Sequence, residues 1–380
     1  MDKNTQRGDS MNIPAAILVA GLCVMPANAS ARNEPQRAAH RENPIVLAQS
    51  GGFVIGGKVI ANAQGKHQSC DHGYVEYFLP ANPRSTSLVM WHSSSTQVWQ
   101  NRWDGGEGYK DMFLRRDYPV YLWDGPRVGR ANWNCETITS APIFRDEQNF
   151  TSWNFGPSFG NWWPDVQFPT RDPQNWQNAT AARYDEFDLL RNIHLETDAA
   201  AVAADSGRLG HRIVYLTNSA GGLRAMVTTT KASGSNIAGM VTYESIGYVF
   251  PLGDPESPAP CTNQDACPFG PIGVPLEDFR KLAKLVSIQF VWGDHRSGPD
   301  AAQALYVEQS RLCAKLINKY GGHAEVLMLG DDAGLKGSTH IPFADMDNDK
   351  VAALLDQFLK KAKLDGYGSA KPKGHWVWDN

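Results

Sequence analysis

Four residues in this chain carry side chains that could act together on one substrate, and they are Ser219, Glu244, Asp294 and His340. Ser219 lies in Thr217-Asn218-Ser219-Ala220-Gly221, after the strand-like run Ile213 to Leu216 and before a predicted helix from Leu223 to Thr230. A serine on a sharp strand-to-helix turn holds its hydroxyl above a sheet, which is the physical content of the G-x-S-x-G nucleophile turn. Here Thr217 stands at the first glycine position. Small residues are needed on both sides because strand and helix backbones nearly touch there. A serine in an ordinary strand-to-helix loop is the alternative, and the other three residues weigh against it.

A serine hydroxyl is a weak nucleophile until a base takes its proton. His340, in Gly337-Ser338-Thr339-His340 between the last predicted strand and the last predicted helix, is the candidate base. His211 precedes the serine's strand and so sits at the wrong end, and His295 adjoins Asp294 and could line the mouth of a crevice. A carboxylate must then hold the imidazole tautomer and stabilise its cation. Glu244 ends the strand Ile237 to Tyr243, and Asp294 follows the strand Leu285 to Trp292. Glu244 is the first choice because an acid nearer the nucleophile must reach further, and Glu has one more methylene. Asp294 is the alternative acid; otherwise it is a loop residue that holds Arg296 or caps a turn. The oxyanion needs two backbone N–H donors. Ala220, after the nucleophile, is one; Ser94, in His92-Ser93-Ser94-Ser95, is the other, with His92 shaping that turn.

These residues need a scaffold that brings strand ends together. Two runs, Phe53 to Ile60 and Gly73 to Leu79, predict an antiparallel pair. Ser87 to Trp91 and Pro119 to Trp123 are short apolar runs of the buried type, separated by a predicted helix around Gly108 to Arg116. Strand and helix then alternate to Lys363, with helices at Tyr184 to Ala204, Ala301 to Tyr320 and Val351 to Lys363 and a last strand at Ala324 to Leu329. That alternation is an α/β pattern with a doubly wound, mostly parallel sheet, in which strand ends converge on one crevice. Periodicity vanishes over about 136–182, which holds Phe150, Trp153, Phe155, Trp162, Trp163, Phe168 and Trp176. A long aromatic stretch of this kind predicts a cap insertion, either functional or held together as structure. Trp99, Trp153, Trp162, Trp163 and Tyr248 are the candidate substrate-binding residues, for a substrate with an apolar or aromatic part.

The whole sequence narrows the setting. Its 380 residues are 42% hydrophobic and 20% charged, with net charge −4, which argues against a nucleic-acid surface or a polybasic membrane anchor. Lys3 and Arg7, the apolar run Ile13 to Met25 and Ala27-Asn28-Ala29 read as a signal peptide over 1–29, implying a secreted or periplasmic protein. A polar linker over 30–50, a catalytic domain over 51–364 and a polar tail over 365–380 follow. Cys261 and Cys267 flank a short turn-rich loop and are the expected disulfide; Cys70 with Cys135 is open, and Cys313 reads as a buried thiol. No C-x-x-C or H-x-x-H spacing suggests zinc, and no cofactor is expected. The expected partner is a small-molecule ester, with homodimer formation left open.

With these motifs in place, the chain resembles a secreted bacterial serine esterase of the α/β-hydrolase superfamily, in the branch with a Ser-His-Glu triad. The resemblance runs from about Phe53 to Lys361 and includes F-V-I-G-G-K, Y-V-E-Y-F-L-P, Y-P-V-Y-L-W-D-G-P-R-V-G-R and K-G-S-T-H-I-P-F-A-D-M-D-N. It implies an α/β-hydrolase fold, Ser219 as nucleophile, Glu244 as acid and His340 as base. The chain departs from the branch at the oxyanion turn, where serines replace glycines. Beside ester hydrolysis, cleavage of a lactone, an amide or a carbon–carbon bond would suit the same residues, as would a non-catalytic binding protein on this fold.

Overall fold

The computed structural model describes residues 44–92, 95–185, 188–261, 267–298 and 301–368. The predicted signal peptide, Ser93, Ser94 and most of the predicted tail lie outside them. Ten strands and nine helices of the α type follow one another among the described residues: β1 (Leu47–Ala61), β2 (His67–Pro80), β3 (Ser87–His92), α1 (Tyr109–Leu114), β4 (Val120–Asp124), α2 (Asp146–Ser152), α3 (Pro173–Ala181), α4 (Leu190–Asp205), β5 (Ile213–Asn218), α5 (Ala220–Lys231), β6 (Ile237–Tyr243), β7 (Val249–Pro251), β8 (Ile272–Val274), α6 (Leu276–Ala283), β9 (Ser287–Trp292), α7 (Ala304–Lys319), β10 (Ala324–Met328), α8 (Leu329–Asp332) and α9 (Asn348–Lys361).

Eight strands form one sheet in the order β1-β2-β4-β3-β5-β6-β9-β10. The β1–β2 and β2–β4 pairs are antiparallel and every later pair is parallel. Sequence explains the difference. β3, β5 and β6 are buried at every position, as a strand covered by helices on both faces must be. β2 alternates buried and half-buried over its second half, as a strand with one wetter face does. The sheet divides the core in two. One side packs Tyr215, Met240, Phe290 and Trp91 against α4, α5 and α7. The other packs Leu216, Val241 and Tyr243 against α1 and α9.

Two expectations need correction. β1 begins at Leu47, inside the stretch read as linker, because Leu47 pairs with Pro80 at the end of β2. At the start of the polar tail Tyr367 bridges Arg84, and its hydroxyl donates to Asp117 at 2.7 Å. The aromatic insertion carries two short helices, α2 and α3, rather than being wholly irregular. Asp172 caps α3, accepting from the Gln174 amide at 2.9 Å, and Pro173 opens its first turn.

The disulfide Cys261–Cys267 spans 6.4 Å between Cα atoms, and Cys70–Cys135 spans 5.1 Å. Cys313 is a buried free thiol. Among the described residues no helix is long and apolar enough to cross a membrane.

Candidate active site

Ser219 stands between β5 and α5 with φ 55° and ψ −134°. A non-glycine residue holds positive φ only where its surroundings compel it. Here the Ser219 amide donates to the Tyr243 carbonyl at 3.1 Å, and the Ser219 carbonyl accepts from Ile246 at 3.2 Å and from Gly222 at 3.1 Å. Gly221 has to be glycine in this position, since a Cβ there would lie 2.7 Å from the Trp91 carbonyl oxygen. Thr217, at the position where a glycine was expected, is wholly buried in β5 opposite Trp91 and Thr242.

His340 and Glu244 meet. The His340 Nδ1 lies 3.0 Å from Glu244 Oε2, and both side chains are buried. Glu244 also accepts from the Gly293 amide at 2.6 Å and from Arg296 through Nε at 3.1 Å and Nη2 at 2.5 Å. Burial opposes the Glu244 charge, but Arg296 and His340 outweigh it and hold the carboxyl below its ordinary range. His340 is shifted down as well. Burial disfavours the imidazolium more than the bond to Glu244 favours it, and the Arg296 charge adds to the burial.

Asp294 takes a different place. Its Oδ2 accepts from the Gly337 amide at 2.9 Å, and its own amide donates to the Ser338 carbonyl at 2.9 Å. It therefore fastens the loop that carries His340. The alternative in which Asp294 holds Arg296 is not met, because that guanidinium turns to Glu244 and to the carbonyls of Ala302 and Ser152. His295 pairs with Asp165 at 3.0 Å, and its ring stacks on Trp163 at 4.3 Å.

Sequence reading missed the polar residues that bind these loops together. Asn218, buried one residue before Ser219, donates through Nδ2 to the Tyr243 carbonyl at 2.9 Å and the His340 carbonyl at 2.8 Å. It ties the serine turn to both the end of β6, next to Glu244, and the His340 loop. Asp345 accepts from the Thr339 amide at 2.7 Å and hydroxyl at 2.9 Å, bracing the residue before His340. Asn218 was visible only as the neighbour of the serine, and Asp345 only within a longer run. Their carbonyl and amide partners come from other strand ends and have no signature in sequence.

The expected substrate wall divides. Trp99 is fully buried and stacks on Phe343 at 3.9 Å. Tyr248 is fully buried too, donating its hydroxyl to the Ser245 carbonyl at 3.2 Å. Both are core residues and not wall residues, because neighbouring side chains occupy their faces. Trp162 stacks on Phe168 at 5.3 Å and packs edge-on against Phe150 and Trp176, so it glues the cap. Trp153 and Trp163 are half-buried beside the loops of interest: the Trp153 carbonyl accepts from the His340 amide at 2.9 Å, and Trp163 lies over His295. Ala220 is the first residue of α5, where amides at a helix start face outward from the turn. The other expected oxyanion donor, Ser94, falls outside the described residues.

No protein-family model matches the chain. A fungal protein (Fungal sp., strain ATCC 74256) named Probable secreted lipase phiG is 26% identical over 168 residues, which is 43% of this chain. The match spans 41% of that relative's own length. A solved structure described as a novel bacterial esterase superposes with a TM-score of 0.67 over 84% of this chain and 97% of its own, at 20% identity. An esterase from Pyrococcus furiosus aligns over 83% of this chain and 91% of its own at a TM-score of 0.42 and 13% identity. The mostly parallel eight-stranded sheet with helices on both faces, and its superposition on the bacterial esterase, give this chain the α/β-hydrolase fold.

Proposed function

We propose that the chain is a secreted serine hydrolase that cleaves carboxylic esters through an acyl-enzyme, with Ser219 as nucleophile, His340 as base and Glu244 as its acid partner. One observation carries the reading. The imidazole of His340 is hydrogen-bonded to the buried carboxylate of Glu244, on a loop that Asn218 joins to the strained turn of Ser219.

The chemistry follows from that arrangement. Glu244 accepts the Nδ1 proton, which leaves Nε2 with its lone pair to take the Ser219 proton. The serine oxygen attacks the ester carbonyl, and the developing oxyanion is met by the amide of Ala220. The imidazolium then gives its proton to the leaving alkoxide, and a water repeats the sequence to release the acid. A His340 that is hard to charge when unoccupied is neutral near pH 7, as a base must be.

The half-buried rings of Trp153 and Trp163 support an apolar or aromatic substrate part. Two disulfides support export to an oxidising compartment, and so does a relative named as a secreted lipase.

A fluorophosphonate probe tests the reading. Peptide mapping should find one adduct, on Ser219, and Ser219→Ala should lose both adduct and ester turnover. A folded protein that forms no adduct and hydrolyses no ester would favour a binding protein on this fold.

A further inference from the structure

The mechanism above gives no role to Arg296, a buried cation seated on Glu244. Arg296 is 1% exposed, and its guanidinium forks onto Glu244, Nε to Oε1 and Nη2 to Oε2. Such a fork fixes the plane of a carboxylate as a single donor cannot. With the Gly293 amide on Oε1, it leaves Oε2 directed at the His340 Nδ1. The same guanidinium reaches the cap: Nη2 donates to the Ser152 carbonyl at 3.1 Å, which also accepts from Gln303 at 3.0 Å.

The next two cap residues continue the pattern. The Trp153 carbonyl accepts from the His340 amide, and Asn154, at φ 65°, donates through Nδ2 to the Asp294 carbonyl at 2.5 Å. Three consecutive cap residues therefore bond to Arg296, which holds the acid, to the amide of the base itself and to Asp294, which fastens the base loop. A cap that served only to cover the crevice would not need this seam.

We propose that Arg296 is a positioning residue for the reaction at Ser219: it orients Glu244 for His340 and seats the cap, through Ser152, on that same carboxylate. The proposal rests on the reading of Ser219, His340 and Glu244 given above. Its electrostatic consequence is specific. A fixed cation behind Glu244 takes up part of the carboxylate's field and opposes a second positive charge on His340. Among the described residues, the other titratable groups around the imidazole are Arg183, whose guanidinium lies 4.9 Å from the Trp153 ring centre, and Asp345 in the base loop, whose carboxyl is pushed well up by burial; Asp294 and Lys336 flank that loop at Gly337.

The experiment compares Arg296→Gln and Arg296→Lys, each alone and with Glu244→Gln, on a p-nitrophenyl ester across pH. Arg296→Gln should lower kcat by about tenfold or more through misalignment, with the loss falling on kcat rather than KM. It should also raise the acid-limb midpoint of kcat/KM by about half a pH unit or more, because the carboxylate then acts on His340 alone. Arg296→Lys keeps the charge without the fork, so it should restore the midpoint and only part of kcat. With Glu244→Gln already present, either change should cost little more, since Arg296 acts through Glu244.

A second readout needs no turnover. The NMR resonance of the His340 Nδ1 proton reports the bond to Glu244 and should move in both variants, so Arg296→Lys carries the test if Arg296→Gln does not fold. Hydrolysis with an unmoved resonance and an unmoved midpoint overturns the role of Arg296 and leaves the functional reading intact. A moved resonance in a protein that hydrolyses no ester defeats the functional reading and leaves the positioning of His340 standing. Additive losses in the double variants overturn the proposal as well.

Discussion

Replacing Glu244 by Gln changes one oxygen for one NH2 group, and the structure says what that does. The carboxylate is wholly buried and accepts from four donors: His340 Nδ1, the Gly293 amide, and Arg296 Nε and Nη2. An amide has one oxygen for these four, and its NH2 must face two of them, since each carboxylate oxygen accepts from two donors. If the oxygen stays with the Gly293 amide and Arg296 Nε, the NH2 meets Arg296 Nη2 and His340 Nδ1, and forces the imidazole proton onto Nε2. The imidazole then presents a proton to Ser219 where a lone pair is needed, a change worth about 10⁴ in kcat. Arg296 loses its counter-charge in the same step, and breaking a buried pair from one side costs about 3–5 kcal/mol. Asp294→Asn supplies the contrast. Asp294 keeps an oxygen for the Gly337 amide, so the change disturbs about one hydrogen bond of roughly 1 kcal/mol and should cost less than about tenfold in rate. Both variants are assayed on one p-nitrophenyl ester at neutral pH, with the urea midpoint of each read in parallel. If Asp294→Asn collapses and Glu244→Gln keeps most of its rate, the acid is Asp294 and the assignment of protons above is wrong.

Three further outcomes are expected. Because burial lowers the His340 pKa and the base works neutral, kcat/KM should fall only as pH drops below the ordinary histidine value of about 6.5; a midpoint clearly above that value in a pH–rate profile would contradict it. Asn218→Ala removes the link from the serine turn to the Tyr243 and His340 carbonyls, so it should destabilise by about 1–3 kcal/mol and lower kcat with little change in KM; unaltered kcat would show that the bridge does not align the site. The Cys70–Cys135 disulfide closes a loop with a sequence separation of 65, worth about 4 kcal/mol in the chain-entropy model. Cys70→Ser with Cys135→Ser should lower the urea-unfolding free energy by about that amount, and an unchanged midpoint would show that no such bond forms.

Much of the frame was legible locally. Runs such as Ile213–Asn218 and Ile237–Tyr243 are β-rich and apolar throughout, and a strand buried on both faces has to be so. The turn at Ser219 announces itself because only small residues allow a helix start so close to a strand, and Gly221 against the Trp91 carbonyl is that constraint made visible. The order serine, acid, histidine is a property of the chain itself. The loss of periodicity over 136–182 likewise marked the cap, though not its helices α2 and α3, which draw their apolar contacts from the ring cluster around Phe150, Phe155 and Trp176.

Other features depend on residues far apart in sequence. Glu244 and Asp294 end neighbouring parallel strands, so sequence leaves both within reach of one crevice. Only the folded loops separate them, sending the Gly293 amide and Arg296 to Glu244 and the Gly337 amide to Asp294. Trp99 and Tyr248 looked like wall residues because an aromatic side chain suits a core and a binding surface equally well. Phe343 decides the first and the Ser245 carbonyl with Phe290 the second. Cys70 meets Cys135 because β2 and the chain after β4 return to the same edge, which no spacing rule encodes. The amino-acid sequence by itself determined most strands of the large sheet, the helices between them and which residue types could carry chemistry, since those follow from neighbours along the chain. Tertiary structure alone decided which acid meets His340, which tryptophans stay near the site and what Arg296 holds, because hydrogen-bond partners and burial are set by groups that only folding brings together.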